Sequence, residues 1–226
     1  MQSYVNTSWS VYVYVVAIIS QKGGVGKTTL ATALAVEADR RGRSAAIFDL
    51  DPQASATFWK DTRGSDRPAV AAVPPARLSH VLKAAAEGGC QYALIDAPPV
   101  AKDLAYEAAQ VADLVLIPTR PAVLDVMGMT RTLELVRLYG RPSAVVLNMC
   151  PQQGREIRDT EEAIRQLGAD LAPVRMYSRI AYSRAQQTGL AAQEVEPDGK
   201  AALEISLLYK YTLKRLNAQG GQHGAR

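Results

Sequence analysis

The 226-residue chain is 48% apolar and 21% charged, the proportions of an ordinary soluble globular protein, which argues against a disordered chain. Its length suits one substantial core. Its longest apolar run, Val11 to Ile19, is about half of the ~20 residues a membrane-spanning helix needs.

Net charge is +4, and its placement says more than its size. Residues 1–119 hold 11 Lys+Arg and 11 Asp+Glu, whereas residues 120–226 hold 15 and 11. A basic second half permits weak, salt-sensitive contact with nucleic acid, although many enzymes share such a bias. Met1 to Ser10 carries no Lys or Arg, so a signal peptide is not expected. Cys90 and Cys150 lie far apart without metal-ligand spacing, as in a reduced cytosolic protein.

Strand and helix signals alternate along the chain. β-rich apolar runs occur at 11–19, 44–50, 91–96, 113–118 and 143–148. Helical patterns lie between them at 27–41, 54–62, 76–88, 102–110, 123–139 and 155–167. A short strand is expected near Ala172 to Met176. A last helix from Lys200 to Leu216 places Leu203, Leu207, Leu208 and Tyr211 on one face. The alternation predicts an α/β fold with a mostly parallel twisted sheet and helices on both faces. Residues 1–10 read as a flexible extension, 11–217 as one domain and 218–226 as a flexible tail. Ligands of such sheets bind at the carboxyl ends of the strands, so the loops there are the candidate site.

Three of those loops carry chemistry. The first follows the apolar run as Gln21-Lys22-Gly23-Gly24-Val25-Gly26-Lys27-Thr28-Thr29. The pattern G-x-x-x-x-G-K-[ST] would need glycine at position 21, where Gln21 stands, so this is a shortened phosphate-binding loop with a second lysine at its front. Glycines let backbone N–H groups turn inward, and the following helix points its positive end at an anion. Lys27 would reach the β- and γ-phosphates and the Thr28 hydroxyl would bind Mg²⁺. The second loop is Asp49-Leu50-Asp51-Pro52-Gln53. Strand alternation sends Asp49 and Asp51 to the same side. Asp51 is the candidate for orienting an attacking water, with capping of the next helix as the competing role. The third is Leu94-Ile95-Asp96-Ala97-Pro98-Pro99, where an aspartate ends an apolar strand and would hold a metal-bound water.

Together, KGGVGKTT, FDLDPQ and LIDAPP resemble the ParA/MinD group of deviant Walker-A P-loop NTPases, specifically the ParA-type partition proteins, over about Val15 to Leu216. The resemblance implies ATP and Mg²⁺ as cofactors, with Lys22 to Thr29 contacting ATP. It matches Lys27, Thr28, Asp51 and Asp96 to the phosphate, metal and hydrolysis positions, the metal set being Thr28, Asp51 and Asp96. Lys22 matches the signature lysine that reaches the partner subunit's nucleotide in an ATP-dependent sandwich dimer. Physical sense agrees, because Lys22 beside its own loop repels Lys27, whereas shared phosphates attract both. Asn148 matches a strand end that often contacts adenine, with turn capping as the alternative.

The segment RIAYSRAQQTG and the following Lys200 helix resemble short, plasmid-type members. In relatives, basic residues of this region bind DNA without sequence preference, which makes Arg179, Arg184, Lys210, Lys214 and Arg215 the candidates. The resemblance implies a cytoplasmic, nucleoid-associated homodimer that works with a centromere-binding, ParB-like adaptor. No helix-turn-helix segment precedes the loop, so operator-specific repression is not expected. The polar, Gly-rich end argues against a MinD-like membrane helix, and the cysteine placement against a nitrogenase-like cluster. The leading expectation is a DNA-partition ATPase, weak without its partner. Alternatives are positioning of a carboxysome, chemotaxis cluster or conjugation machinery, a dethiobiotin-synthetase-like ligase, or a nucleotide-dependent filament.

Overall fold

The computed structural model describes residues 12–99 and 102–223. Six strands form one sheet: β1 (Tyr14–Ile18), β2 (Ala45–Asp49), β3 (Ala69–Ala72), β4 (Tyr92–Asp96), β5 (Leu114–Thr119) and β6 (Ser143–Leu147). Their order is β3-β2-β4-β1-β5-β6 and every pairing is parallel. The central strands are buried on both faces, which is why they read as continuous apolar runs instead of alternating ones. Alternation within β1 nevertheless sorts its side chains. Val16 and Ile18 join the core on one face, and Val15 and Ala17 join the core on the other.

The helices are α1 (Lys27–Arg40), α2 (Ser55–Arg63), α3 (Leu78–Glu87), α4 (Lys102–Val111), α5 (Val123–Leu138), α6 (Glu156–Gln166), α7 (Ile180–Gln187), α8 (Ala192–Val195) and α9 (Lys200–His223). One core layer packs α1, Trp59 of α2 and the α7–α9 region against the sheet, and the other packs α3 to α6. Small residues bring α1 close to the strands: Ala31, Ala33, Ala35 and Ala38 are all buried. Among the described residues no helix is long and apolar enough to cross a membrane.

The expected strands and helices are present, with five differences, one of them the short helix α8, which was not expected. Strand β3 was not expected, because AVAA is a short edge run whose residues are mostly exposed. The segment near Ala172–Met176 is flanked by isolated bridges, Leu171 to Val145 of β6 and Tyr177 to Cys150 past its end, without a continuous ladder. Pro173 lies in this segment and has no N–H to donate. The segment beginning RIAYSRAQQTG contains a helix, α7. Finally, α9 continues to His223, past the expected end at Leu216. On it Leu208 is buried, whereas Leu203 and Leu207 face outward at 60% and 45% exposure, so the four expected face residues do not share one buried face. The proposed extension at 1–10 lies outside the described residues, as do 224–226 of the proposed tail.

Candidate nucleotide site

The loop between β1 and α1 turns through Gly24 and Gly26, at φ 70° and 84°. Both are left-handed conformations that glycine adopts without a Cβ penalty. Gly26 is the N-cap of α1, and no side chain caps the helix and no acid stands in its first turn. The first N–H groups of α1 are therefore left for an anion, at the positive end of a 14-residue helix.

Lys27 is buried, and its ammonium lies 3.5 Å from the Lys22 carbonyl. Burial pushes its pKa down, opposed by the negative charges of Asp96 and Asp51. The Thr28 hydroxyl donates to Asp96 Oδ2 at 2.6 Å. Asp96 is 1% exposed, and burial raises its pKa to about 7, with Asp49 and Asp51 adding to the rise and the Thr28 bond and Lys27 opposing it. Its second oxygen, Oδ1, is buried without a hydrogen-bond partner among the described residues. A buried carboxylate oxygen left unpaired is costly, so it calls for a donor or a cation. Oxygen donors of this kind suit Mg²⁺, which is commonly held by one or two protein groups plus phosphate and water. Accordingly, the described residues hold no self-contained cluster of three or more His, Cys, Asp or Glu.

The two aspartates after β2 divide their work differently from the simple alternation. The strand ends at Asp49, so Asp49 and Asp51 do not continue one pleat. Asp49 is buried and accepts the N–H groups of Asp51 (3.0 Å), Ala56 (3.0 Å) and Thr57 (3.2 Å). The capping role weighed for Asp51 thus falls to Asp49, which satisfies the start of α2. Asp51 is half-buried in the following turn, where Oδ1 accepts only the Gln53 N–H at 2.9 Å among the described residues.

Lys22 sits at the front of the loop, half-buried, with its Cβ 3.6 Å from where a Cβ on Gly128 of α5 would stand. Its ammonium has no carboxylate partner among the described residues. Asn148 is brought to the same loop, its Nδ2 donating to the Val25 carbonyl at 2.7 Å. Behind Thr29, a cavity of about 400 Å³ is lined by Asn148, Met149, Tyr177, Ile180 and Tyr182. Its size is that of a small-molecule pocket. Apart from Asn148 and Thr29, those lining residues were not found by sequence reasoning. The neighbouring RIAYSRAQQTG segment carries the signal for them, although its sequence points toward DNA.

The five basic residues expected at DNA are not equivalent. Arg179 is held by Glu204, its Nε donating to Oε1 at 2.9 Å, and stacks over Tyr177 at 5.3 Å. It belongs to the cavity wall and is not a free surface cation. Arg215 is engaged by Asp170 and by the Tyr211 hydroxyl at 2.7 and 3.1 Å. Arg184, Lys210 and Lys214 are exposed.

An all-parallel sheet with a glycine-rich phosphate loop after its first strand, backed by a half-buried Thr28 paired with the buried Asp96, defines a P-loop nucleotide-binding ATPase. The chain matches the CobQ/CobB/MinD/ParA nucleotide binding domain over residues 16–192. It belongs to that family, as a ParA/MinD-group ATPase with the deviant Walker-A loop. It is 33% identical over 215 residues to the maintenance of carboxysome distribution protein A of Gloeobacter kilaueensis, covering 92% of this chain and 96% of that one. It is 29% identical to Protein ParA of Rhizobium radiobacter, covering 77% and 83%. Its fold is similar to that of the septum site-determining protein MinD of Pyrococcus horikoshii, solved with Mg-ADP, at TM-score 0.71 and 19% identity, covering 89% and 96%.

Proposed function

We propose that the protein is an ATP-dependent partition switch: it dimerises on ATP, binds DNA without sequence preference, and is released when a partner protein stimulates hydrolysis. The observation that carries this reading is the juxtaposition of an uncapped helix start, the Thr28–Asp96 pair and an unpartnered Lys22 around one phosphate loop.

The backbone N–H groups from Gly24 to Thr29 and the Lys27 ammonium bind the β- and γ-phosphates. Thr28 and Asp96, with Asp51 nearby, would hold Mg²⁺, which would neutralise charge on the phosphate oxygens. Asp51 orients the water that attacks the γ-phosphorus, and the products are ADP and inorganic phosphate. With this half-exposed carboxylate as the water-orienting group, turnover without a partner is slow. The cavity beside Thr29 receives the base and ribose. Lys22, which has no carboxylate partner among the described residues, neutralises the phosphates of the other subunit.

Lys210 and Lys214 lie one turn apart on the exposed stripe of α9 and, with Arg184, supply the DNA-facing charge. The partner is a ParB-like adaptor seated on the cargo, and the working location is the nucleoid. For the cargo, plasmid or chromosomal DNA is the first reading. A second, a carboxysome or similar body, is favoured by the carboxysome-distribution relative, which is covered over 96% of its length. Filter binding to random-sequence DNA with ATP and with ADP, at two salt concentrations, tests the DNA step. ATP-dependent retention that weakens with salt supports it, and no ATP-dependent retention at low salt overturns it.

A further inference from the structure

Asn148 stands one residue past the end of β6, two strands away from the strand that feeds the phosphate loop. Its backbone N–H donates to the Thr119 carbonyl at 2.9 Å, and Met149 after it takes φ 52°, a left-handed value uncommon outside glycine. Held in this corner, its amide reaches the loop on the far side of β5. Nδ2 donates to the Val25 carbonyl at 2.7 Å, with Asn148 7% and Val25 1% exposed. Gly26 permits the approach, because a Cβ there would lie 2.5 Å from Asn148 Nδ2.

This bond is unlike the others on the loop. Among the described residues, no other side chain hydrogen-bonds the backbone between Gly23 and Gly26. At the loop's base the contacts are longer: Gln21 N–H to Thr132 Oγ1 and Lys22 N–H to Ser20 Oγ, both 3.3 Å. Gly23 and Gly24 are exposed, and a Cβ on either would meet nothing within 4 Å. In a planar trans peptide the carbonyl and the following N–H point in opposite directions. A donor that pins the Val25 carbonyl on one side therefore aims the Gly26 N–H to the other, and among the described residues the Asn148 amide is the only side chain placed to do so.

We propose that Asn148 is a positioning residue that fastens the phosphate loop, so that it contributes to nucleotide affinity through the phosphates. This rests on the nucleotide-binding reading of the loop. It assigns the strand-end asparagine a different role from the adenine contact implied by resemblance.

The test uses the full chain as wild type, Asn148→Ala and Asn148→Ser, the serine variant standing in if the alanine variant does not fold. Amide exchange of the ligand-free protein is followed by mass spectrometry over residues 22–28. Affinities for Mg²⁺-tripolyphosphate, which has no base, and for Mg²⁺-ATP are measured calorimetrically. Losing one buried hydrogen bond should speed loop exchange and weaken both ligands by the same factor, about tenfold. A loss confined to ATP, or loop exchange unchanged from wild type, would overturn the proposal. If the wild type bound neither ligand, the nucleotide reading would fall, while the exchange measurement would still decide whether Asn148 fastens the loop.

Discussion

The Thr28 hydroxyl donates to Asp96 Oδ2 at 2.6 Å, tying the first turn of α1 to the end of β4. The bond leaves Asp96 with one satisfied oxygen and one buried oxygen without a partner among the described residues. Burial raises the pKa of this carboxylate, and the charges of Asp49 and Asp51 add to the rise.

That rise gives a pH dependence. The folded pKa of Asp96 is raised from 3.8 to about 7, so the folded state holds its proton more tightly than the unfolded chain. Its contribution to stability is fully present below about pH 4 and is lost as pH rises through about 7. Ligand-free protein should lose up to about 1.4 kcal/mol per pH unit inside that window, at most about 4 kcal/mol in all. Asp96→Asn should flatten the profile and abolish Mg²⁺-dependent ATP hydrolysis. Thermal melts from pH 4.5 to 8, run in chelator, check the first point; a variant as pH-sensitive as wild type would contradict it.

The aspartates after β2 should separate cleanly. Asp51→Ala is expected to cut ATP turnover by about 100-fold while leaving ATP binding and melting temperature nearly unchanged. Asp49→Ala removes the carboxylate that satisfies the Ala56 and Thr57 N–H groups, and should cost about 1–2 kcal/mol of stability. Single-turnover hydrolysis beside thermal denaturation distinguishes them. Normal turnover in Asp51→Ala would remove it from the chemistry.

Gly189 sits at φ 66°, where an added Cβ would lie 2.3 Å from the Arg63 backbone nitrogen. Arg63 in turn grips Glu194 with Nη1 and Nη2 at 2.8 and 2.6 Å, so α2 is docked against the α7–α8 turn. Gly189→Ala should destabilise by at least about 2 kcal/mol and lower the melting temperature by roughly 5 °C or more. Differential scanning calorimetry measures this directly.

Much of the fold and the candidate phosphate loop were legible because they are written locally. The loop from Lys22 to Thr29 is contiguous, and Asp96 ends an apolar run that can only be a buried strand. What escaped depends on the chain returning from a distance. Met149, Tyr177, Ile180 and Tyr182 meet around one cavity only after α6 and the following segment bring residues 177–182 back beside α1. Arg179 looks like a surface cation in sequence, and only its ion pair with Glu204 reveals the cavity wall. Likewise, alternation could not say that β2 stops at Asp49, because the stop is imposed by α2 docking its N–H groups on that carboxylate. Periodicity on α9 could not tell which of two leucine faces the core would take, and the core took Leu208 while Leu203 and Leu207 remained outside.

The central claim is that Lys22 acts on the other subunit's nucleotide, so that dimerisation reports bound ATP. The most direct measurement is the solution mass, by light scattering on a sizing column, of wild type and Lys22→Ala with ADP and with a non-hydrolysable ATP analogue. The account predicts a dimer only for wild type with the analogue, and a monomer for Lys22→Ala that still binds it. A wild-type chain that stays monomeric with saturating analogue, or a Lys22→Ala chain that dimerises as wild type does, would contradict it.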